Sequence, residues 1–210
     1  MSPEGTNHWK GKGLRTIYFS NLYPTKITID DPHFEGKFKV FDSTEHYFQM
    51  YKYSEPDRHF MARLTTGDVA GYGQRRLKIT KGHKKHLDEL AKAGIPVKMK
   101  SGRPYEIGST ADPQLIVEGW DEKGMEVMLK ALRAKFTQHP ELSEALKLTT
   151  GCWMIEHTKN DKKWGDGLTG DGTNYLGKLL MLVRKELEDG KEYEIDRNWM
   201  KIQMKDLIQY

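Results

Sequence analysis

The chain has 210 residues, 30% of them charged and 37% hydrophobic, which is enough for one domain with a sizeable core. A mean hydropathy of −0.76 and the lack of a long apolar run exclude a membrane-spanning helix, so we expect no membrane partner. The single cysteine, Cys152, excludes an intrachain disulfide and favours a cytoplasmic location, while the net charge of +4 permits an anionic ligand without requiring one.

The first third of the chain predicts short strands followed by helices. Residues 15–24, "RTIYFSNLYP", predict a strand that ends at a turn, because β-branched and aromatic residues give way to turn formers. "KITID" (26–30) and "KFKVF" (37–41) alternate apolar and polar residues and predict two further strands. Helices are predicted over 43–53 and over "PDRHFMARL" (56–64), where the proline suits a first turn.

The rest of the chain predicts a mainly helical domain. Apolar residues at helical spacing mark core helices over 125–136 and 176–187. Between them, residues 160–177 hold five glycines in eighteen positions, and such a long loop is more often functional than accidental. The basic residues 80–118 read as an insertion or surface element. We therefore predict a predominantly helical α+β fold, with residues 1–210 forming a single compact domain.

The predicted helix 43–53 carries an unusual polar stripe. Glu45, Gln49 and Lys52 stand at i, i+4 and i+7 and share one face, flanked by aromatic residues. One interpretation is structural: Asp42 caps the helix, Glu45 closes a capping box, and Lys52 is a surface lysine. The other is functional: the rings exclude water, and desolvation favours the neutral carboxyl and amine that suit proton transfer and nucleophilic attack.

Common catalytic and cofactor motifs are absent from the sequence. "GYGQRR" lacks the third glycine and the βαβ context of a dinucleotide site, and no P-loop or HExxH motif occurs. A single cysteine cannot supply the zinc-deaminase pair. His83, His86 and Glu89 could share a helix face as metal ligands, but the lysines around them favour a solvated face. We expect no metal and no cofactor.

Several ordered motifs resemble the NADAR family, also called YbiA-like proteins. They are "FSNLYP", "STEHYFQMYKY", "VMLKALRAKFTQHPELSEAL", "LTTG", "IEHTKNDKKWGDG" and "GTNYLGKLLMLVR", and they span roughly residues 16–79 and 119–187. The resemblance implies a small α+β domain that cleaves N-glycosidic bonds. Activities attributed to the family are hydrolysis of phosphorylated riboflavin-pathway intermediates and removal of ADP-ribose from guanine in DNA. Residues 80–118 have no counterpart in the compact members of the family.

The resemblance and the local patterns together define a candidate site. By resemblance, Glu45 and Lys52 match the family's active-site helix, and Trp164, Gly165 and Gly167 match its pocket loop, with Asp161 ahead of it and Asn174 after it. The full set of predicted substrate-binding residues is Ser20, Asn21, Tyr47, Gln49, Asp161, Trp164, Gly165, Asp166, Gly167 and Asn174. Arg75, Arg76 and Arg133 are the candidates for binding phosphate, and a solvated surface is the alternative for each.

These residues suggest a mechanism. A carboxylate such as Glu45 stabilises positive charge at ribose C1 and activates water, whereas Lys52 offers an imine route through the ring-opened sugar. Gln49 would orient either group, Trp164 would stack on the base or plug the core, and Gly165 and Gly167 would let backbone amides approach the sugar or phosphate.

Three functions compete at this point. ADP-ribosylated guanine in nucleic acid is the substrate that we favour, because the basic 80–118 segment provides many cations for DNA. Phosphorylated riboflavin-pathway intermediates are the alternative within the same class. A non-catalytic module that binds ADP-ribose or NAD derivatives is the alternative from another class.

Overall fold

The structure, a computed structural model, describes residues 16–31, 40–53, 57–73, 76–95, 97–99, 101–111 and 116–208. Its strands are β1 (Ile27–Thr28) and β2 (Val40–Phe41). Its α-helices are α1 (Thr44–Lys52), α2 (Asp57–Met61), α3 (Thr66–Gly73), α4 (Lys81–Lys92), α5 (Trp120–Gln138), α6 (Pro140–Lys147), α7 (Tyr175–Asp189) and α8 (Arg197–Lys201). The predominantly helical α+β fold is confirmed. Within the described ranges no helix has the length and apolar character needed to cross a membrane.

The small sheet confirms two of the three predicted strands. β1 and β2 pair antiparallel, with Ile27 opposite Phe41, which matches the predictions for "KITID" and the described end of "KFKVF". The strand predicted at the start of residues 15–24 is wrong: Thr16–Phe19 form a 3₁₀ helix. This segment is held by a local hydrogen bond, in which the Ser20 amide donates to the Ile17 carbonyl (3.1 Å). Within the described residues it does not pair with a strand, and β-propensity depends on such pairing.

The chain divides into two compact units. The central unit comprises residues 21–131, and the terminal unit combines residues up to 20 with residues from 132 onward. Helix α5 begins in the central unit and ends in the terminal unit. The prediction of a single domain over 1–210 stays a prediction.

In the central unit, α1 is the helix around which the core is built. It contacts α2, α3 and β2, and its buried face includes Tyr47, Phe48 and Met50. The predicted helix at 56–64 is confirmed by α2. Buried aromatic and aliphatic residues from β2, α2 and α3 complete this core: Phe41, Phe60, Met61, Val69 and Tyr72.

The basic segment lies within the central unit, and backbone pairing joins its start to a point near its end. Lys78 forms an isolated antiparallel bridge with Thr110, and the Ala111 amide donates to the Leu77 carbonyl (2.9 Å). The intervening residues include α4, which Thr80 caps by accepting the His83 amide. Joined ends are what an insertion requires. Its status as an insertion stays a prediction.

In the terminal unit, most of the apolar residues predicted to form the core faces of two helices are buried. Leu132 and Phe136 of α5 are fully buried. Along α7, four of the five predicted residues, Leu176, Leu179, Leu180 and Val183, are buried, whereas Leu187 near its end is half-buried. Burial of such side chains contributes about 1.5–3 kcal/mol each, so these helices carry much of this unit's stability.

Candidate active site

The N-terminus of α1 is held in place from two sides. Ser43, rather than the predicted Asp42, is the N-cap, and its Oγ accepts the His46 amide (3.1 Å). The Asn21 carbonyl accepts the Glu45 amide (3.1 Å) and the Thr44 hydroxyl (3.0 Å). The capping box between Asp42 and Glu45 is therefore wrong, because the serine hydroxyl already takes the first-turn amide.

The polar stripe is confirmed as one face of α1. Gln49 Nε2 donates to Glu45 Oε1 over 2.8 Å, and the side chains of Glu45, Gln49 and Lys52 are all half-buried. Gln49 Oε1 is buried and has no hydrogen-bond partner in the described structure. An unpaired buried acceptor costs about 1–3 kcal/mol, and a ligand hydroxyl or amine beside it would recover that energy. Lys52 Nζ lies 5.7 Å from the centre of the Tyr53 ring.

A layer of aromatic rings lies behind this stripe. The Tyr47 ring is 2% exposed and packs against Phe41 and Tyr51, with centroids 4.9 and 4.8 Å away. The Tyr47 hydroxyl donates to the buried Asp31 carboxylate (3.2 Å), and burial together with the charge of Asp31 raises the pKa of Tyr47. This placement is that of a core residue. A substrate contact by Tyr47 stays a prediction.

His46, next to Glu45 in the chain, has a structural position. Its Nε2 lies 3.0 Å from the Met61 carbonyl, and its Nδ1 accepts the Asp42 amide (3.4 Å), so the ring is neutral with its proton on Nε2. Burial lowers the pKa of His46, against opposing effects of the Met61 carbonyl and Asp42. His46 thus ties α1 to the end of α2.

Arg58 is a candidate binding residue that the sequence reading missed. Its guanidinium lies 4.9 Å from the centre of the Tyr51 ring, and its buried Nε has no partner in the described structure. In the sequence, Arg58 stands out only by its position early in the predicted helix 56–64. Nothing in the sequence shows that this helix packs beside α1. Among the predicted phosphate ligands, Arg76 is exposed and Arg75 lies outside the described residues.

The glycine-rich loop belongs to the terminal unit and is organised first by Asp161. Asp161 Oδ1 accepts the amides of Lys163 and Trp164, each over 2.8 Å. The half-buried Trp164 packs edge-on against Tyr175, with centroids 5.9 Å apart. The loop then satisfies the start of α7, because the carbonyls of Lys163 and Trp164 accept the amides of Tyr175 and Leu176.

Asp166 holds this loop together from inside. Its carboxylate is fully buried and accepts hydrogen bonds from His157 Nδ1 (2.7 Å) and from the amides of Leu168 (2.9 Å) and Thr158 (3.3 Å). Burial alone would raise the pKa of Asp166, but these hydrogen bonds and the charge of His157 outweigh it and lower that pKa. The structure thus gives Asp166 a loop-organising position, and its predicted substrate contact stays a prediction.

Asn174 occupies a buried left-handed position (φ 53°) in front of α7. Its Oδ1 accepts the Glu156 amide (2.9 Å) and its Nδ2 donates to the Met154 carbonyl (2.8 Å). Both polar atoms of the side chain are therefore occupied by backbone groups. Asn174 fixes the segment that precedes the loop, and a direct ligand contact stays a prediction.

The glycines of the loop are required by packing within the loop. A Cβ at Gly165 would lie 2.7 Å from the Glu156 carbonyl oxygen, and one at Gly167 would lie 2.6 Å from Asp171 Oδ1. Atoms of the loop and of the segment just before it thus fill the space that the sequence assigns to the approach of a sugar or phosphate.

Glu156, within the motif "IEHTKNDKKWGDG", was not singled out from the sequence. Its carbonyl accepts the Asp166 amide (3.0 Å). Partial burial and the charges of Asp161 and Asp166 raise the pKa of Glu156. The signal in the sequence that could have identified Glu156 is the close spacing of three acidic residues, Glu156, Asp161 and Asp166.

Two basic residues at the end of α5 are occupied by contacts in the terminal unit. Arg133 donates to both Glu186 oxygens (3.0 and 2.6 Å) and to the Tyr193 carbonyl (2.9 Å), so its predicted phosphate contact would compete with this ion pair. Lys135 is 1% exposed and donates to the Ser20 carbonyl (2.9 Å). Ser20 is thereby held through its backbone.

A model of the NADAR domain matches residues 7–188. The chain belongs to the NADAR family. N-glycosidase YbiA of Escherichia coli is 32% identical over 170 residues, which are 80% of each chain. "Riboflavin biosynthesis protein PYRR, chloroplastic" of Zea mays is 31% identical over 80% of this chain, but the match spans only 23% of the maize protein.

A solved structure supports the same conclusion about the fold. The NMR structure of Escherichia coli YbiA matches with a TM-score of 0.57 and 31% identity, covering 86% of this chain and 83% of that one. The NADAR resemblance read from the sequence is confirmed.

Proposed function

We propose that this NADAR protein is an N-glycosidase that cleaves the bond between a base or amine and C1 of a phosphoribosyl or ADP-ribosyl group. The observation that carries the proposal is the Glu45–Gln49 pair (2.8 Å) on a capped helix, with Lys52 farther along the same half-buried face. The name of the bacterial relative, N-glycosidase YbiA, supports the reaction class.

Glu45 acts at the electron-poor carbon. As the C1–N bond breaks, its electron pair leaves with the base, and positive charge develops on C1 and the ring oxygen. The Glu45 carboxylate stabilises that charge and takes a proton from the attacking water, whose oxygen bonds to C1. The proton then passes to the nitrogen of the leaving base. Gln49 holds one carboxylate oxygen and so orients the other.

The substrate that we favour is ADP-ribosylated guanine in nucleic acid. The support is electrostatic: Lys81 and Lys85 are exposed in the first half of α4 of the basic segment, where a phosphate backbone would find cations. Phosphorylated riboflavin-pathway intermediates are the second candidate, and the printed name of the maize relative favours them. A small metabolite would make no use of the α4 cations.

Product analysis separates these functions. The purified protein is incubated with an oligonucleotide carrying ADP-ribosyl guanine and, in parallel, with phosphorylated riboflavin-pathway intermediates, and the products are identified by mass spectrometry. Release of ADP-ribose with restored guanine supports the favoured substrate, and release of a phosphorylated ribose supports the second. Binding of ADP-ribose without turnover of either substrate would overturn the enzymatic proposal in favour of a binding module.

A further inference from the structure

A cavity of about 330 Å³ lies in the central unit, between α4 and the end of α2. Nitrogen-bearing side chains dominate its polar lining: Arg63, His83, Lys85 and His86, with Glu89 as the one acidic member. We call this space the α2–α4 cavity. It lies within the basic segment and the residues that face it, and none of its polar lining residues belongs to the polar stripe of α1.

The polar groups of this cavity have more donors than acceptors. Arg63 NH1 lies 3.0 Å from His86 Nδ1. A guanidinium has no acceptor, so His86 Nδ1 must accept, and the proton of the neutral ring is on Nε2. That buried Nε2 has no hydrogen-bond partner in the described structure. Burial and Arg63 lower the pKa of His86, against smaller opposing effects of Glu89 and the His59 backbone.

The same geometry argues against a metal ion. Arg63 NH1 is 3.0 Å from His86 Nδ1 and 3.7 Å from Glu89 Oε2, so a cation of the protein already stands between the two candidate ligands. Within the described residues, no group of three or more histidine, cysteine or acidic side chains is placed to hold a metal. The cavity therefore fits an anion better than a cation.

Lys85 and the start of α4 supply further positive potential. Lys85 is exposed and forms no ion pair with a described residue, whereas its neighbour Lys84 pairs with Asp88. Gly82 lies in the first turn of α4 and lines the cavity, and a Cβ placed there would meet only Thr80 Oγ1, at 3.8 Å. The helix start is open to a ligand there, and the helix dipole favours negative charge at that end.

We propose that the α2–α4 cavity binds a phosphate group. Arg63 and Lys85 provide the charge, the His86 ring and the first turn of α4 provide donors, and the phosphate oxygens supply the acceptors that the lining lacks. The volume exceeds that of one phosphate, so an attached sugar also fits. The phosphate belongs either to a free monoester or to a nucleic-acid backbone, and both present the same anionic oxygens. This site does not depend on the N-glycosidase proposal.

Calorimetric titration of the full chain tests the site, with three probes at low ionic strength: inorganic phosphate, ribose 5-phosphate, and an oligonucleotide without terminal phosphates. Lys85→Glu should weaken binding of at least one probe by about tenfold or more, because it replaces attraction by repulsion close to the anion. Lys92→Glu is the matched control: it makes the same charge change on an exposed lysine of α4 that does not line the cavity, and its effect should stay below about twofold.

The pattern across probes identifies the source of the phosphate. Lys85-dependent binding of the two small phosphates supports a free monoester, and Lys85-dependent binding of the oligonucleotide alone supports a backbone phosphate. Equal losses in Lys85→Glu and Lys92→Glu, or binding of no probe by the wild type, would overturn the site. Arg63→Gln, which keeps much of the shape of the side chain, should repeat the loss seen in Lys85→Glu. Circular dichroism of every variant confirms that it is folded.

Discussion

Gln49 donates from Nε2 to Glu45 Oε1 over 2.8 Å, one helical turn away on the same face of α1. This hydrogen bond holds one carboxylate oxygen and so restricts the rotamers of the Glu45 side chain. It also aligns Gln49 Oε1, which is buried and has no partner in the described residues. A carboxylate oxygen and an amide oxygen side by side are suited to the hydroxyl groups of a ribose.

Replacement of Glu45 by Gln should abolish turnover and leave the fold intact. The substitution keeps the shape of the side chain and removes the charge that stabilises the developing cation, so we expect a loss of at least about 10²-fold in kcat. The helix should survive because Ser43 and Asn21, rather than the Glu45 side chain, hold its first turn. Rates and thermal melts are measured on the same samples. A variant that keeps near wild-type activity would remove Glu45 from the mechanism.

The position of this helix and its polar face followed from the sequence, since spacing of four and seven residues places side chains on one face whatever surrounds them. The 3₁₀ helix at Thr16–Phe19 did not follow, because β-propensity depends on a strand partner that local sequence cannot supply. Arg58 was missed for a similar reason: its contact with Tyr51 depends on the turn between two helices.

The glycine-rich loop shows another limit of local reading. Its motif was recognised, and its glycines were assigned to ligand approach. In the structure Gly165 and Gly167 are crowded by atoms of the loop and of the segment just before it, and Asp166 and Asn174 make their hydrogen bonds within these two segments. In a single sequence, a residue that a tight loop requires cannot be distinguished from a residue that a ligand requires. Only the tertiary contacts show which of the two applies.

Lys52 should form a covalent intermediate if the imine route operates. It stands seven residues after Glu45, about 10 Å along the helix axis, and its side chain leans back toward the N-terminus of the helix. Nζ would bond to C1 as the base leaves with the electron pair of the C1–N bond, and ring opening would move a proton from Nζ to the ring oxygen and give an imine.

Borohydride added during turnover should trap this imine, and peptide mass spectrometry should find the sugar adduct on Lys52. Lys52→Arg keeps the positive charge but cannot form the imine, so we expect it to lose the adduct and most of its activity. Active turnover without an adduct, together with good cleavage by Lys52→Arg, would leave direct attack by water as the mechanism.

The close approach of backbone to Gly177 predicts a large loss of stability when that glycine is replaced. A Cβ at Gly177, in the first turn of α7, would lie 2.0 Å from the Met154 carbonyl oxygen. Gly177→Ala should therefore destabilise the protein by about 3 kcal/mol, because backbone must shift to accept it. Gly82→Ala is the control: it is also a helical glycine, its Cβ meets nothing closer than 3.8 Å, and we expect a gain of up to about 1 kcal/mol. Urea unfolding of both variants measures the difference, and equal effects would contradict the packing argument.

Because of Lys135, the free energy of unfolding should depend on pH in the neutral to alkaline range. It is 1% exposed, donates to the Ser20 carbonyl (2.9 Å), and burial lowers its pKa to about 7 from an ordinary value of 10.5. Between these values the unfolded chain binds more protons at this site than the folded one, so the free energy of unfolding should rise with pH, by up to about 1.4 kcal/mol per pH unit. Lys135→Met removes the titrating group and should flatten the slope between pH 7 and 8. A smaller rise should remain above pH 8, where burial also lowers the pKa of Lys178 to about 8.

Lys130→Met is the matched control. Lys130 also lies on α5 and donates to a backbone carbonyl, that of Asp30 (3.0 Å), but it is exposed. Urea unfolding from pH 6.5 to 9.5 measures all three proteins, and equal slopes in the wild type and Lys135→Met would show that Lys135 does not lose its proton on burial.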